Sequence, residues 1–141
     1  MTPNKKNGLL LFILVAAVLV YSFSGNSIGI ALDFGDTALT VSAASRDWTL
    51  DYDQIASIAL SDLPDVGTPA DGTDQRKLQC GVWENETWGT YTLCVSPKIS
   101  RCIVLTMHNG DIFVLNYESA DSTASLYEMF AGLLQSKGYT S

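Results

Sequence analysis

The first apolar feature of the chain is an unbroken run over residues 8–23, which reads GLLLFILVAAVLVYSF. It contains no charged residue, and it lacks the polar face that a helix of a globular domain needs. Each aliphatic residue favours the bilayer by a few tenths of a kcal/mol, so the whole run favours insertion. We therefore predict a short N-terminal segment, residues 1–7, followed by one transmembrane helix over residues 8–25.

The charges that flank this anchor predict its orientation. Lys5 and Lys6 precede the run, and the next basic residue is Arg46. Because basic residues stay on the cytoplasmic side, we expect a single-pass protein of the cell membrane with its N-terminus inside and its domain outside. The run is short for a spanning helix, so a cleaved secretory signal, which would release a secreted domain, is the alternative.

After residue 25, the sequence consists of short segments in which apolar and polar residues alternate, separated by turn residues. Period-two alternation is typical of half-buried strands, and Asn109-Gly110 between two apolar runs favours a tight hairpin. Segment 61–75 holds two prolines, two glycines and four aspartates, and is predicted to be a surface loop without core residues. The seven predicted strands cover 28–34, 37–43, 48–60 with a kink at Asp53-Gln54, 77–83, 90–95, 101–107 and 112–117.

The last apolar pattern has a helical period instead. Residues three, four or seven positions apart form one face of a helix. The members of this face are Leu126, Phe130, Leu133 and Leu134. We predict a helix over residues 121–137 that closes over the sheet, which completes one mainly β domain over residues 26–138.

Charge restricts the partners of this domain. The chain has 15 acidic and 8 basic residues. Lys5 and Lys6 lie ahead of the anchor, so the domain keeps 15 acids against 6 bases, a formal net charge of −9. A surface of this sign repels phosphate backbones and anionic lipid headgroups, which argues against nucleic acid and phosphoinositide ligands.

The sequence offers no pattern for catalysis. His108 is the sole histidine, and it lies beside the predicted Asn-Gly turn, where an exposed polar residue is expected in any case. No His-x-His, Cys-x-x-Cys or Gly-rich phosphate loop is present. We therefore expect no enzyme activity, no catalytic residues, no metal and no cofactor.

Three cysteines, Cys80, Cys94 and Cys102, fall in predicted strands. In a domain outside the cytoplasm, one disulfide and one thiol are expected, with Cys94 paired to either Cys80 or Cys102. Spacing does not choose between these pairs, because a disulfide requires Cα atoms within about 7 Å. The alternative is three buried thiols that pack as small apolar side chains.

Two tryptophans are candidate interaction residues. Trp83 and Trp88 flank the acidic turn Glu84-Asn-Glu86. Tryptophan near a loop tip is typical of a residue that anchors a partner protein. The alternative is that both rings fold back onto the sheet.

Several stretches resemble bacterial PH-like (pleckstrin-homology-like) domains. Residues 48–60, WTLDYDQIASIAL, resemble the Tyr-Asp run of that family, and residues 103–115 resemble its final hairpin. Gly81 and Gly89-x-Tyr91 resemble its glycine-punctuated middle strands. The resemblance implies a seven-stranded antiparallel barrel capped by one C-terminal helix.

The resemblance also bears on function. Members of this family are often joined to membrane segments, and the fold serves many partners. The first predicted hairpin, residues 31–37, has two acids and no base, unlike the basic pocket of phosphoinositide-binding PH domains. We therefore expect a membrane-anchored, extracytoplasmic binding or scaffolding module that contacts another protein. The alternative is an accessory structural subunit of a membrane complex.

Overall fold

Nine β-strands and one α-helix form the part of the chain that the computed structural model describes, residues 29–140. The predicted segment 1–7 and the predicted anchor 8–25 lie outside these residues. Within residues 29–140, no helix is both long enough and apolar enough to cross a bilayer. The elements are β1 (Ala31–Phe34), β2 (Ala38–Ala43), β3 (Arg46–Asp51), β4 (Ile55–Asp62), β5 (Thr68–Asp74), β6 (Gln79–Asn85), β7 (Gly89–Val95), β8 (Arg101–Met107), β9 (Ile112–Leu115) and α1 (Ala120–Ser136).

The first sheet is an antiparallel meander in the order β1-β2-β3. Its central strand keeps the alternation of the sequence, because Leu39, Val41 and Ala43 are buried while the residues between them are partly exposed. Successive side chains of a strand point to opposite faces. This sheet therefore presents one apolar face to the core.

The second sheet has six strands in the order β4-β8-β9-β7-β6-β5. The hairpin of β8 and β9 turns at Asn109 and Gly110, and it inserts between β4 and β7. As a result β9 runs parallel to β7, whereas the other neighbouring strands are antiparallel. Strands β4 and β5 form the two edges of this sheet.

The main core lies between the first sheet, one face of the six-stranded sheet and α1. Trp48 of β3 meets Phe113 of β9 edge-on, with 5.9 Å between the ring centroids. Phe130 of α1 packs edge-on against Phe34 of β1 at 5.2 Å. We call this side of the six-stranded sheet the inner face, and its buried residues are Ile55, Cys80, Cys94, Ile103, Leu105, Phe113 and Leu115.

The C-terminal helix confirms the prediction made from helical spacing, and it begins and ends one residue earlier than expected. Ser119 is its N-cap, because the Ser119 hydroxyl oxygen accepts a hydrogen bond from the Ser122 backbone N–H at 2.9 Å. Gly138 follows the helix with a φ of 82°, a left-handed conformation that glycine adopts without strain. The buried helix residues are Thr123, Leu126, Met129, Phe130, Leu133 and Leu134.

The predicted seven-stranded antiparallel barrel is wrong in its details. The described residues contain nine strands in two separate sheets, and no closed barrel is formed. The parallel pairing of β9 with β7 breaks the simple meander order that an antiparallel barrel requires. What the structure supports is the coarser prediction, a mainly β domain with one C-terminal helix.

The prediction of a surface loop over residues 61–75 is also wrong. Strand β4 continues to Asp62, and residues 68–74 form the edge strand β5. Pro69 is tolerated there because an edge strand leaves one side of its backbone unpaired. Between the two strands, Leu63 and Val66 pack against buried side chains of the six-stranded sheet. This segment therefore does contribute to a core.

Candidate interaction surface

The six-stranded sheet has a second apolar side, which we call the outer face. Consecutive residues of its central strands are apolar, as in the run RCIVLTM of β8. Because neighbouring side chains of a strand point to opposite faces, these strands present apolar side chains on both faces of the sheet. The buried members of the outer face are Trp83, Tyr91, Leu93, Val95, Cys102 and Val114. Its partly exposed members are Leu63, Val66, Trp88, Val104 and Ile112.

One corner of the outer face is held together by hydrogen bonds between two segments. We call residues 63–67 and the turn 85–89 together the Trp88 corner. The Asn85 side-chain amide donates to the Asp65 carbonyl oxygen at 3.0 Å, and the Trp88 backbone N–H donates to Asn85 Oδ1 at 2.7 Å. The Tyr91 hydroxyl donates to the Val66 carbonyl oxygen at 2.8 Å. These bonds fix both segments relative to the sheet, so the surface is formed before any partner binds.

The two candidate tryptophans have different positions on this face. Trp83 is 1% exposed, and its indole N–H donates to the Cys80 carbonyl oxygen at 3.2 Å. Trp88 is only partly buried and leans against Tyr91, with 5.0 Å between the ring centroids. Trp88 can therefore touch a partner, whereas Trp83 supports the surface from below.

An acidic rim borders the Trp88 corner. A cleft of about 440 Å³ is lined by Asp65, Glu84 and Glu86, together with small and uncharged polar residues. Within residues 29–140, the one ion pair joins Arg46 to Asp71 at 3.6 Å, so none of these three carboxylates is in an ion pair with a described basic side chain. The corner thus combines a partly exposed aromatic ring with acidic side chains that form no ion pair within residues 29–140.

A second cleft, of about 480 Å³, lies near the start of α1. Lys77, Lys98, Glu118 and Ser119 are among the residues that line it. Its charges are mixed, and among residues 29–140 no aromatic side chain lines it. It is therefore less suited than the Trp88 corner to bind another protein.

The sole histidine lies where the sequence places it. His108 is exposed in the turn between β8 and β9, and its backbone N–H donates to the Gln54 carbonyl oxygen at 2.8 Å. Within residues 29–140, no group of three or more His, Cys, Asp or Glu side chains is arranged to hold a metal ion.

The structure brings two of the three cysteines together. Cys80 of β6 stands directly opposite Cys94 of β7, while Cys102 belongs to the outer face. All three are buried free thiols in the structure. Burial raises the pKa of the Cys94 thiol, and the neighbouring Cys80 raises it further. Burial, assisted by the charge of Asp62, raises the pKa of the Cys102 thiol to about 11.

Sequence reasoning missed two residues of the outer face, Leu63 and Val66. Leu63 and Val66 come from a segment rich in proline, glycine and aspartate, a composition typical of solvent-exposed loops. The available signal was that both apolar residues flank Asp65, whose short side chain hydrogen-bonds the Gly67 backbone N–H at 2.9 Å in a local turn. When the polar residue of such a turn, here Asp65, points to solvent, the apolar residues before and after it can point towards the sheet.

Comparisons with known proteins identify no family for this chain: no protein-family model, no curated protein and no solved structure matches it.

Proposed function

We propose that this chain is a binding module, held at the outer side of a cell membrane by residues 8–25, that contacts another protein through its outer face. The single observation that carries the proposal is the Trp88 corner. There, hydrogen bonds hold the two segments in place, the partly exposed Trp88 ring packs on Tyr91, and acidic side chains line the adjoining cleft. The proposed role is association rather than bond making.

The chemistry of this corner favours a particular kind of partner. Tryptophan supplies a large apolar contact area at low cost in conformational entropy, and it is enriched at the centres of protein interfaces. Asp65, Glu84 and Glu86 attract basic side chains, which raises the rate and the specificity of association more than its affinity. We therefore expect a protein segment that offers an apolar side chain to Trp88 and lysine or arginine to the acidic rim.

The net charge supports a protein partner over a lipid surface. The chain behind the anchor has a formal charge of −9. An acidic domain is repelled by anionic headgroups, so it stands away from the membrane to which its anchor is attached. That arrangement leaves the outer face free for a neighbouring protein.

Site-specific photo-crosslinking tests the contact. A photo-reactive phenylalanine analogue is placed at position 88 of the full-length chain in living cells, and a matched control carries it at Glu128, an exposed position of α1. We expect a discrete protein adduct at position 88 and little at position 128. Equal adducts at both positions, or none at position 88, contradict the proposal.

Charge variants test the chemistry of the rim in the same assay. Glu84→Gln and Glu86→Gln together should lower the adduct yield at position 88 several-fold at low salt. Asp33→Asn, which removes an exposed acid of the other sheet, should leave it unchanged. High salt should lower the wild-type yield towards that of the double variant, because exposed charges are screened. If the adduct yield at position 88 changes neither with salt concentration nor in the double variant, the partner is not basic.

A further inference from the structure

The strongest unassigned feature is the pair Cys80 and Cys94. The register of β6 and β7 sets these residues directly opposite each other on neighbouring antiparallel strands. Directly opposite side chains lie on the same face of a sheet, and both of these belong to the main core. Neither thiol is exposed to solvent.

The backbone around the pair shows which kind of antiparallel position it occupies. The Cys80 carbonyl oxygen accepts from the Trp83 indole at 3.2 Å and lies against Gly72 of β5, on the side away from β7. The Cys94 carbonyl oxygen accepts from the Asn116 backbone N–H at 3.4 Å, at the end of β9 and away from β6. Both carbonyls therefore turn away from the partner strand.

Residues whose carbonyls turn away from each other form a non-hydrogen-bonded pair. In such a pair the Cα atoms are about 4.5 Å apart, and the side chains approach more closely than in the other kind of pair. Disulfides span Cα separations of roughly 4.4 to 6.8 Å. Cys80 and Cys94 thus meet the distance requirement without a rearrangement of the sheet.

Cys102 does not meet this requirement. Strand β9 separates β8 from β7, so Cys102 and Cys94 lie two strands apart, about 10 Å at the usual strand spacing. Their side chains also point to opposite faces, since Cys94 belongs to the inner face and Cys102 to the outer face. The Cys102 thiol instead donates a weak hydrogen bond to the Asp62 carbonyl oxygen at 3.8 Å.

We propose that Cys80 and Cys94 are joined in a disulfide and that Cys102 stays a thiol. A small-molecule disulfide such as glutathione disulfide is the oxidant. One cysteine thiolate attacks it, which forms a mixed disulfide and releases one glutathione thiolate. The second cysteine thiolate then attacks the mixed disulfide and releases the other, so two protein thiols lose two electrons and two protons while one glutathione disulfide becomes two thiols.

The burial of both sulfurs dictates when this bond forms. Thiol–disulfide exchange needs a thiolate that can reach the oxidant, and in the folded domain both thiols are enclosed. Oxidation therefore occurs while the chain is folding, and the finished bond is shielded from reductants. It is a structural bond rather than a reversible switch.

The presence of this disulfide in cells rests on the proposed extracytoplasmic location, whereas the choice of pair does not. A test with purified protein therefore distinguishes the two. If Cys80 and Cys94 do not pair in a redox buffer, the disulfide proposal fails and the proposed location is unaffected. If the domain faces the cytoplasm, the proposed location fails and the choice of pair is unaffected.

Peptide mapping of the full-length protein decides the pairing. The protein is unfolded, reduced and refolded in detergent with a glutathione redox buffer; remaining thiols are alkylated under denaturing conditions and the chain is cut with trypsin. Cleavage after Lys77, Lys98, Arg101 and Lys137 places Cys80 and Cys94 in one peptide, 78–98, and Cys102 in another, 102–137.

The expected result is an unalkylated peptide 78–98 that is lighter by two hydrogen atoms, beside an alkylated peptide 102–137. A covalent link between the two peptides means that Cys102 takes part and overturns the proposal. Alkylation of all three cysteines overturns it as well. This readout uses the wild-type chain, so it does not depend on any variant folding.

Thermal unfolding in the Cys102→Ala background gives a second readout. A disulfide that closes a loop of about 15 residues should raise Tm by roughly 10 °C over the reduced protein, because it restricts the unfolded chain. A reductant should remove this difference at least tenfold faster in denaturant than under native conditions. Equal Tm values for the two forms, or rapid reduction of the folded protein, contradict a buried structural bond.

Discussion

The inner and outer faces of the six-stranded sheet are built from the same strands but have different covers. Along β8, Ile103 and Leu105 point inwards and are fully buried, while Val104 between them points outwards and is partly exposed. The inner face is closed by a whole sheet and a helix, whereas Leu63, Val66 and Trp88 are the residues outside the sheet's strands that, within residues 29–140, pack on the outer face. The apolar sequence of a strand therefore does not determine whether a face is core or surface. The elements that pack on that face determine it.

The difference in cover separates two roles. Burial of apolar area stabilises a fold by roughly 25 cal/mol per Å², so the inner face supplies most of the stability. The outer face keeps part of its apolar area in contact with water, and that area is available to a partner. Substitutions of buried residues on either face should therefore affect folding, whereas substitutions of the partly exposed residues of the outer face should affect binding.

The largest expected effect comes from the two tryptophans. Trp83→Ala should destabilise the full-length protein in detergent by about 3 to 5 kcal/mol, because it empties a buried site and leaves the Cys80 carbonyl without its indole donor. Trp88→Ala should cost only about 1 kcal/mol, since its ring is partly solvated already. Denaturant unfolding measures both. Equal losses of stability would mean that Trp88 is a core residue and not a contact residue.

Neighbouring residues of β8 give the next largest effect. Leu105→Ala on the inner face should reduce the free energy of unfolding by about 2 to 5 kcal/mol, as expected for a fully buried leucine. Val104→Ala on the outer face should reduce it by about 1 kcal/mol or less, because fewer methyl groups are lost from a half-covered site. The comparison fails if Val104→Ala proves as costly as Leu105→Ala.

Alkaline pH should produce a smaller effect that reports on the outer face. Burial raises the pKa of the Cys102 thiol from its ordinary value of 9.0 to about 11. Folding then favours the neutral thiol, so its contribution is full below pH 9 and is lost as the pH rises towards 11. We expect this group alone to remove roughly 2 kcal/mol over that interval.

The Cys102→Ser variant is the matched control for that pH dependence, because a serine hydroxyl does not titrate in this range. Its free energy of unfolding should fall less steeply between pH 9 and 11 than that of the wild type. Tyr91 on the outer face and Tyr52 in the main core also have raised pKa values, chiefly through burial, so part of the decline should persist in the variant. Identical slopes would show that Cys102 is not buried as described.

Local patterns in the sequence identified most elements but not their arrangement. The helix followed from Leu126, Phe130 and their neighbours, because helical spacing is a local property. The Asn109-Gly110 hairpin was likewise local. The insertion of that hairpin between β4 and β7 depends on contacts between distant residues, and no local pattern specifies them. This is why the nine-stranded, two-sheet arrangement was mistaken for a barrel.

The candidate site was predictable only in outline. The sequence singled out Trp83 and Trp88 together, but it did not show that the Trp83 ring lies buried beside Gly72 of the paired strand β5 while the Trp88 ring is partly exposed. The sequence left open three buried thiols or a disulfide of Cys94 with Cys80 or Cys102, and the proposed choice of Cys80 needed the register of β6 against β7. In both cases the missing information was long-range strand pairing.

Oxidative footprinting tests the role of the outer face most directly. Hydroxyl radicals oxidise exposed aromatic side chains, and mass spectrometry compares Trp88 with Tyr127, a partly exposed residue of α1, in native membranes and in the purified full-length protein. We predict that oxidation of Trp88 is several-fold lower in native membranes than in the purified protein, while oxidation of Tyr127 is the same in both. Equal oxidation of Trp88 in the two preparations would contradict a partner-bound outer face.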